Sequence, residues 1–415
     1  MNHPAHVPTT PKEQPNVRST DLLNNNTRML GSSPIRDLLE KSFDPGIISF
    51  AGGNPAAEFF DVEGMSRSFQ AVMDRYGRRA MQYSSTDGEP EMRAAAASRT
   101  AEMGVPTDPD QVLITTGSQQ GIGLLGQTLI NHGDVVLVEN PTFVSALLAF
   151  SLQGARFKTI HSDENGAVPE SLEEAIRRWK PKAVYLIPTF QNPTGSTLTQ
   201  ERRTRIADIL AEANVWLIED DPYSDIRFTN EKHIPISADP RLNTRSFLLN
   251  SLSKVLAPGI RIGWIRSPKD VLPYLSRVKQ ASTLQSSTID QLAAAHYLQN
   301  NDLPSRLAPV KAEYMNRRDH LMKGLMAALP AGTDITRPKG GLFIWARLPA
   351  GFNASVMLES ALLAGTMFIP GAPFYVEEAD QRTMRFSYSS NPVGQAELGL
   401  TRLANAFAEP PLLVQ

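Results

Sequence analysis

The sequence predicts a three-layer α/β fold: a large domain around a mostly parallel sheet, with a smaller α+β domain built from both termini. Three observations predict it. Between about residues 60 and 285, short apolar β-rich runs alternate with helix-length segments, the pattern of a sheet covered on both faces. Polar clusters follow several of those runs at what would be their carboxyl ends, where such sheets bind ligands. After about residue 286 the alternation stops, and a long helical stretch leads into a strand entered through paired glycines.

In chain order, residues 1–30 are rich in Pro, Asn and Thr without an apolar core, so they read as a disordered tail rather than a signal peptide. Residues 31–60 should belong to the small domain. A short amphipathic helix begins near Pro34 with Ser32 or Ser33 as N-cap, and Ile47–Phe50 forms a strand that ends at Gly52 and Gly53. Paired glycines there serve a turn or let the backbone approach a ligand. Residues 61–286 hold the large domain. Its strands begin at Val112, Val135, Phe157, Ala183, Val215, Ser246 and Ile262, and its helices include Gln119–Asn131, Pro169–Trp179 and Gln200–Ala213. Residues 287–415 hold the helical stretch Ser287–Leu329, with a break expected at Asp302–Pro304. The strand Lys339–Trp345 and an amphipathic helix Gln395–Phe407 complete the small domain.

The chain has 415 residues, a net charge of −2 and no cysteine. Disulfides, thiolate metal sites and cysteine nucleophiles are therefore excluded. The charge gives no general attraction to nucleic acid or anionic membrane. No apolar run approaches the ~18 residues of a membrane span. We expect a cytoplasmic protein with no nucleic-acid, membrane or metal partner.

The chemistry centres on Lys254, just after the buried run Ser246–Ser251. Ser251 and Ser253 precede it, a Pro–Gly turn follows, and Arg261 stands seven positions on. A lysine that attacks a carbonyl needs its charge suppressed by burial or by nearby cations. Hydroxyls and a guanidinium fork suit a phosphate. Together they suggest a lysine that forms a Schiff base with pyridoxal phosphate (PLP). The other polar clusters are Gly117-Ser118-Gln119, Asn192 through Gly195, and Asp220 with Tyr223.

With these motifs in this order, the sequence resembles a class I/II aminotransferase of the fold-type I PLP enzymes. It is most similar to the branch with 2-aminoadipate, aromatic and branched-chain aminotransferases. The resemblance runs from about Ser33 to the C-terminus. It implies a PLP-transferase large domain and a PLP cofactor. Lys254 would be the aldimine lysine and proton carrier, and Asp220 the partner of the pyridine nitrogen. Tyr223 and Asn192 would hydrogen-bond the phenolic oxygen. Gly117, Ser118, Gln119, Ser251, Ser253 and Arg261 would hold the phosphate, and Phe143 would stack on the ring. Arg385, with Gly53 and Asn192, would hold the substrate α-carboxylate. Arg36 would meet the substrate side chain, and Tyr83 would reach the neighbouring subunit's phosphate in a homodimer. The implied reaction is ping-pong transfer of an amino group from an L-amino acid to a 2-oxo acid, with 2-oxoglutarate as the acceptor. The alternative is another PLP reaction at Cα, as a lyase, decarboxylase or oxidase. A ligand-sensing repressor of the GntR type would need a winged helix-turn-helix, for which the stretch before Ser33 is too short.

Overall fold

The computed structural model describes residues 18–29 and 34–408. Its central sheet has seven strands, in the order Val112–Thr115, Gly263–Arg266, Ser246–Ser251, Trp216–Asp220, Ala183–Leu186, Val135–Glu139, Arg156–Ile160. Only Gly263–Arg266 runs against its neighbours; the other pairs are parallel. The period of two sorts side chains between the two faces. Leu137, Val184 and Leu217 pack with Leu172 and Ile206 of the helices Pro169–Trp179 and Gln200–Glu212. Val138, Tyr185 and Ile218 pack with Ile122 and Phe150 of the helices Ser118–Leu129 and Val144–Ser151. Burial on both faces is why the strands read as unbroken apolar runs.

The helices start and stop where local chemistry dictates. Pro169 opens its helix with Glu170 in the first turn, and Arg177 and Arg178 stand in the last, each favourable to the helix dipole. Thr199 caps Gln200–Glu212 by accepting the Arg202 N–H. The expected break at Asp302 is present: Thr288–Asn300 ends, and Asp302 caps Leu303–Ala328 by accepting from Ser305.

The second body is a four-stranded antiparallel sheet, ordered Asp334–Ile335, Phe343–Arg347, Thr383–Ser387, Ile369–Pro370. Ile48–Ser49 pairs in parallel with Thr366–Met367, which joins the early chain to the late chain. The helix Val393–Ala408 closes over this pair. At Gly399 a Cβ would lie 2.8 Å from the Phe50 ring, so only glycine allows the approach.

Two expectations are corrected. Residues 18–29 are not featureless: they carry helical turns at Ser19–Leu22 and Asn25–Met29. Local bonds make these turns, with the Arg18 N–H donating to Asp21, and Asn26 ties them to the Leu152 carbonyl at 3.0 Å. The rest of the tail, and the caps expected at Ser32 and Ser33, lie outside the described residues. The strand expected over Ile47–Phe50 is confined to Ile48–Ser49, because only these two residues keep register with Thr366–Met367.

Candidate active site

The carboxyl ends of the parallel strands open into one cleft of about 380 Å³, a size suited to a cofactor. Lys254, Asp220, Tyr223, Asn192, Phe143, Ser118, Gln119, Ser251, Ser253, Arg261, Gly53 and Arg385 all line it. Gly117 stands at its edge, one residue before Ser118.

At one end the structure offers an anion cradle. The strand Val112–Thr115 turns into the helix Ser118–Leu129 through Gly117, whose φ of 76° disfavours any other residue. Among the described residues no side chain caps this helix, and Ser118 and Gln119 of its first turn line the cleft, where the dipole favours negative charge. A Cβ on Gly117 would sit 2.7 Å from Arg261 Nη2. Arg261 donates from the same nitrogen to the Thr116 carbonyl at 3.1 Å. Ser251 Oγ and Ser253 Oγ lie 2.8 Å apart beside it. The Gln119 amide donates to the Ser145 carbonyl at 3.1 Å.

Lys254 ends the 3-10 turn Leu252–Lys254 that follows the strand Ser246–Ser251. Its Nζ donates to the Gly53 carbonyl at 2.9 Å. Burial first, then the charges of Arg385 and Arg261, bring its pKa down from 10.5 to about 8. A sizeable fraction of the amine is therefore neutral near pH 8, as a nucleophile requires.

Asp220 closes the strand Trp216–Asp220 and is buried. Its Oδ2 accepts from the Tyr185 hydroxyl at 2.7 Å, while Oδ1 is buried with no hydrogen-bond partner among the described residues. Burial raises its pKa to about 6, against the pull of the Tyr185 hydrogen bond. Tyr223, edge-on to Phe343 at 6.1 Å, is buried, which pushes its phenol above the usual range.

Arg385 is buried between two rings, 4.2 Å from Phe343 and 4.9 Å from Phe374. It donates to Asn192 Oδ1 and to the Ala51 carbonyl, each at 2.8 Å, and its Nε is buried without a partner among the described residues. Burial lowers its pKa to about 10, so it remains a cation at neutral pH. A Cβ on Gly53 would lie 2.5 Å from Phe343, so close approach, not turn geometry alone, requires the glycine.

These groups match the chemical demands of PLP. The cradle has donors for a phosphate, the orphaned Asp220 Oδ1 can accept from a ring nitrogen, and Lys254 can meet an aldehyde. Phe143 offers an aromatic face on the cleft wall.

Two expected residues stand apart. Tyr83 does not line the cleft of its own chain and is 77% exposed, so it is no core tyrosine here. Arg36 lies on the helix Pro34–Lys41, whose Ile35 and Leu39 line the cleft, but its side chain is outside what the structure describes. Sequence reasoning missed Tyr185, Phe343 and Phe374. A lone hydroxyl inside the apolar strand Ala183–Leu186 was the signal for Tyr185; Phe343 and Phe374 look like any core residue.

The profile of the family described as "Aminotransferase class I and II" matches residues 60–402. The aromatic-amino-acid aminotransferase 1 of Thermococcus litoralis is 35% identical over 91% of this chain and 92% of its own. The 2-aminoadipate transaminase of Thermus thermophilus is also 35% identical, over 91% and 94%. A crystal structure of an alpha-aminoadipate aminotransferase from Thermus thermophilus, complexed with N-(5'-phosphopyridoxyl)-L-leucine, superposes with a TM-score of 0.88. It is 32% identical and covers 94% of this chain and 98% of that one.

Proposed function

The chain belongs to the aminotransferase class I and II family, and from that premise we propose how its own side chains divide the work of a PLP-dependent aminotransferase. When bound, PLP supplies an aldehyde carbon and a conjugated ring that takes electron density from the substrate Cα. The N–H groups at Gly117, Ser118 and Gln119, with Ser251, Ser253 and Arg261, hold its phosphate. Phe143 would pack on its ring, and Tyr223 and Asn192 would hydrogen-bond its phenolic oxygen, all three lining the same cleft. Asp220 Oδ1, buried without a partner among the described residues, would accept from the ring nitrogen and so favour a proton there.

Lys254 Nζ is the nucleophile and the carrier of the Cα proton, two tasks served by one amine near half-neutrality at pH 8. Arg385, fixed between Phe343 and Phe374, binds the substrate carboxylate together with the Gly53 N–H. The observation that carries this reading is the shared cleft of Lys254 with the unpartnered Asp220 Oδ1.

The wall of Ile35, Leu39, Val144, Ile187 and Phe374 favours an amino donor with an apolar or aromatic side chain. A relative named for aromatic amino acids supports this donor class. Arg36 shares the helix Pro34–Lys41 with Ile35 and Leu39 and is taken as the group that meets the substrate side chain. We take 2-oxoglutarate as the acceptor and a homodimer as the working unit, with the exposed Tyr83 reaching its partner's phosphate cradle. Absence of cysteine is compatible with a reducing cytoplasm. No helix among the described residues is long and apolar enough to cross a membrane.

A panel of amino donors against 2-oxoglutarate tests this reading. Leucine and aromatic donors should bleach the visible band of bound PLP and yield glutamate, and Lys254→Ala should do neither. Activity confined to acidic donors contradicts the apolar wall, and a donor profile unchanged in Arg36→Ala removes Arg36 from the site.

A further inference from the structure

We propose that Tyr185 is a positioning residue that fixes the Asp220 carboxylate and makes it the weaker partner for the ring-nitrogen proton. The inference rests on the role given above to Asp220.

Register brings the two together. Tyr185 pairs with Ile218 across parallel strands, so Asp220, two residues on, is its diagonal neighbour on the same face of the sheet. The hydroxyl donates to Oδ2 at 2.7 Å with both side chains buried, and the Tyr185 ring is held edge-on by Phe150 at 5.8 Å. A carboxylate has two oxygens to satisfy. Tyr185 occupies one, and the other is left buried, unpaired and on the cleft wall. Without the hydroxyl, both oxygens would be orphaned and the group would be free to turn.

The donation also sets basicity. A hydrogen bond given to a carboxylate stabilises its charged form and lowers its affinity for a proton. A proton shared between Asp220 and the ring nitrogen is thereby left on the ring. The titratable groups that face Tyr185 are Asp220, Glu139 and Tyr223. Glu139 is held neutral at pH 7 by burial, with a pKa near 8, and Tyr223 is kept protonated by burial. Among the described residues, Asp220 is thus the one charged acceptor facing the Tyr185 hydroxyl.

The test is Tyr185→Phe holoenzyme loaded with PLP labelled with nitrogen-15 in the ring. The ring-nitrogen resonance should move toward the neutral-pyridine value, and kcat should fall roughly ten- to hundredfold with KM for the donor little changed, as expected for a lost charge-assisted hydrogen bond. Should the phenylalanine variant fail to fold, 3-fluorotyrosine at position 185 keeps the size and strengthens the donor; the resonance should then move toward the pyridinium value. A resonance unmoved in the variant that folds overturns the role of Tyr185. A resonance unmoved in Asp220→Asn as well overturns the role of Asp220 instead.

Discussion

Glu139 shows at the scale of one residue how burial and hydrogen bonding compete. It ends the strand Val135–Glu139, and its Oε2 accepts the Ile187 N–H at 2.9 Å. Burial outweighs that bond and raises its pKa from 4.5 to about 8, so the folded state holds a proton that the unfolded chain has lost. Its stabilising contribution is complete below about pH 4.5 and is lost as pH rises through 8, at no more than ~1.4 kcal/mol per pH unit. Asp221, raised to about 7 by burial, adds a decline of the same sign. Lys254 and Lys279, both lowered to about 8, act above this window with the opposite sign, since their neutral forms favour the fold as pH rises toward 10.5. Glu139→Gln keeps the acceptor and removes the titration. Thermal melts from pH 6 to 9 should therefore show a shallower loss of Tm in the variant; parallel curves would place the titrating group elsewhere.

At the scale of elements, the loop Gln82–Glu89 has no regular structure, yet buried side chains strap it. Lys279 is fully buried and its Nζ donates to the Thr86 carbonyl at 2.5 Å and the Ile114 carbonyl at 2.7 Å. Gln291 accepts the Glu89 N–H at 2.8 Å, and Thr288 donates to the Gln82 carbonyl at 2.9 Å. A loop held this firmly presents Tyr83 outward at a fixed place. We predict that sedimentation equilibrium gives the mass of two chains, and that Tyr83→Ala weakens PLP binding without separating them. A monomer that binds PLP as tightly as the parent would contradict this. Helices were the most legible elements, because caps and charge bias are local: Pro169–Trp179 has the limits its sequence implies. The turns at 18–29 were not legible, because their short helices have no apolar face to leave a period. The Tyr83 strap was hidden for another reason: its hydrogen-bond partners lie about 200 residues away in sequence.

For the whole molecule, the cleft residues come from segments spread between Ile35 and Arg385, and the sheet gathers them because parallel strands share one carboxyl end. Polar clusters after apolar runs made that end legible in the sequence. The clamp of Phe343 and Phe374 on Arg385 was not, since contacts between paired strands and the turn Ala372–Phe374 of the small sheet leave no pattern along the chain. The same holds for choosing between the two buried lysines. Both have pKa values near 8, but Lys279 spends its amine on two carbonyls outside the cleft, whereas Lys254 lines it.

Borohydride reduction of the PLP-loaded protein, followed by peptide mass mapping, separates them most directly. The account predicts one phosphopyridoxyl group per chain, on the peptide that holds Lys254. A label on Lys279, a label spread over several lysines, or none at all would contradict it.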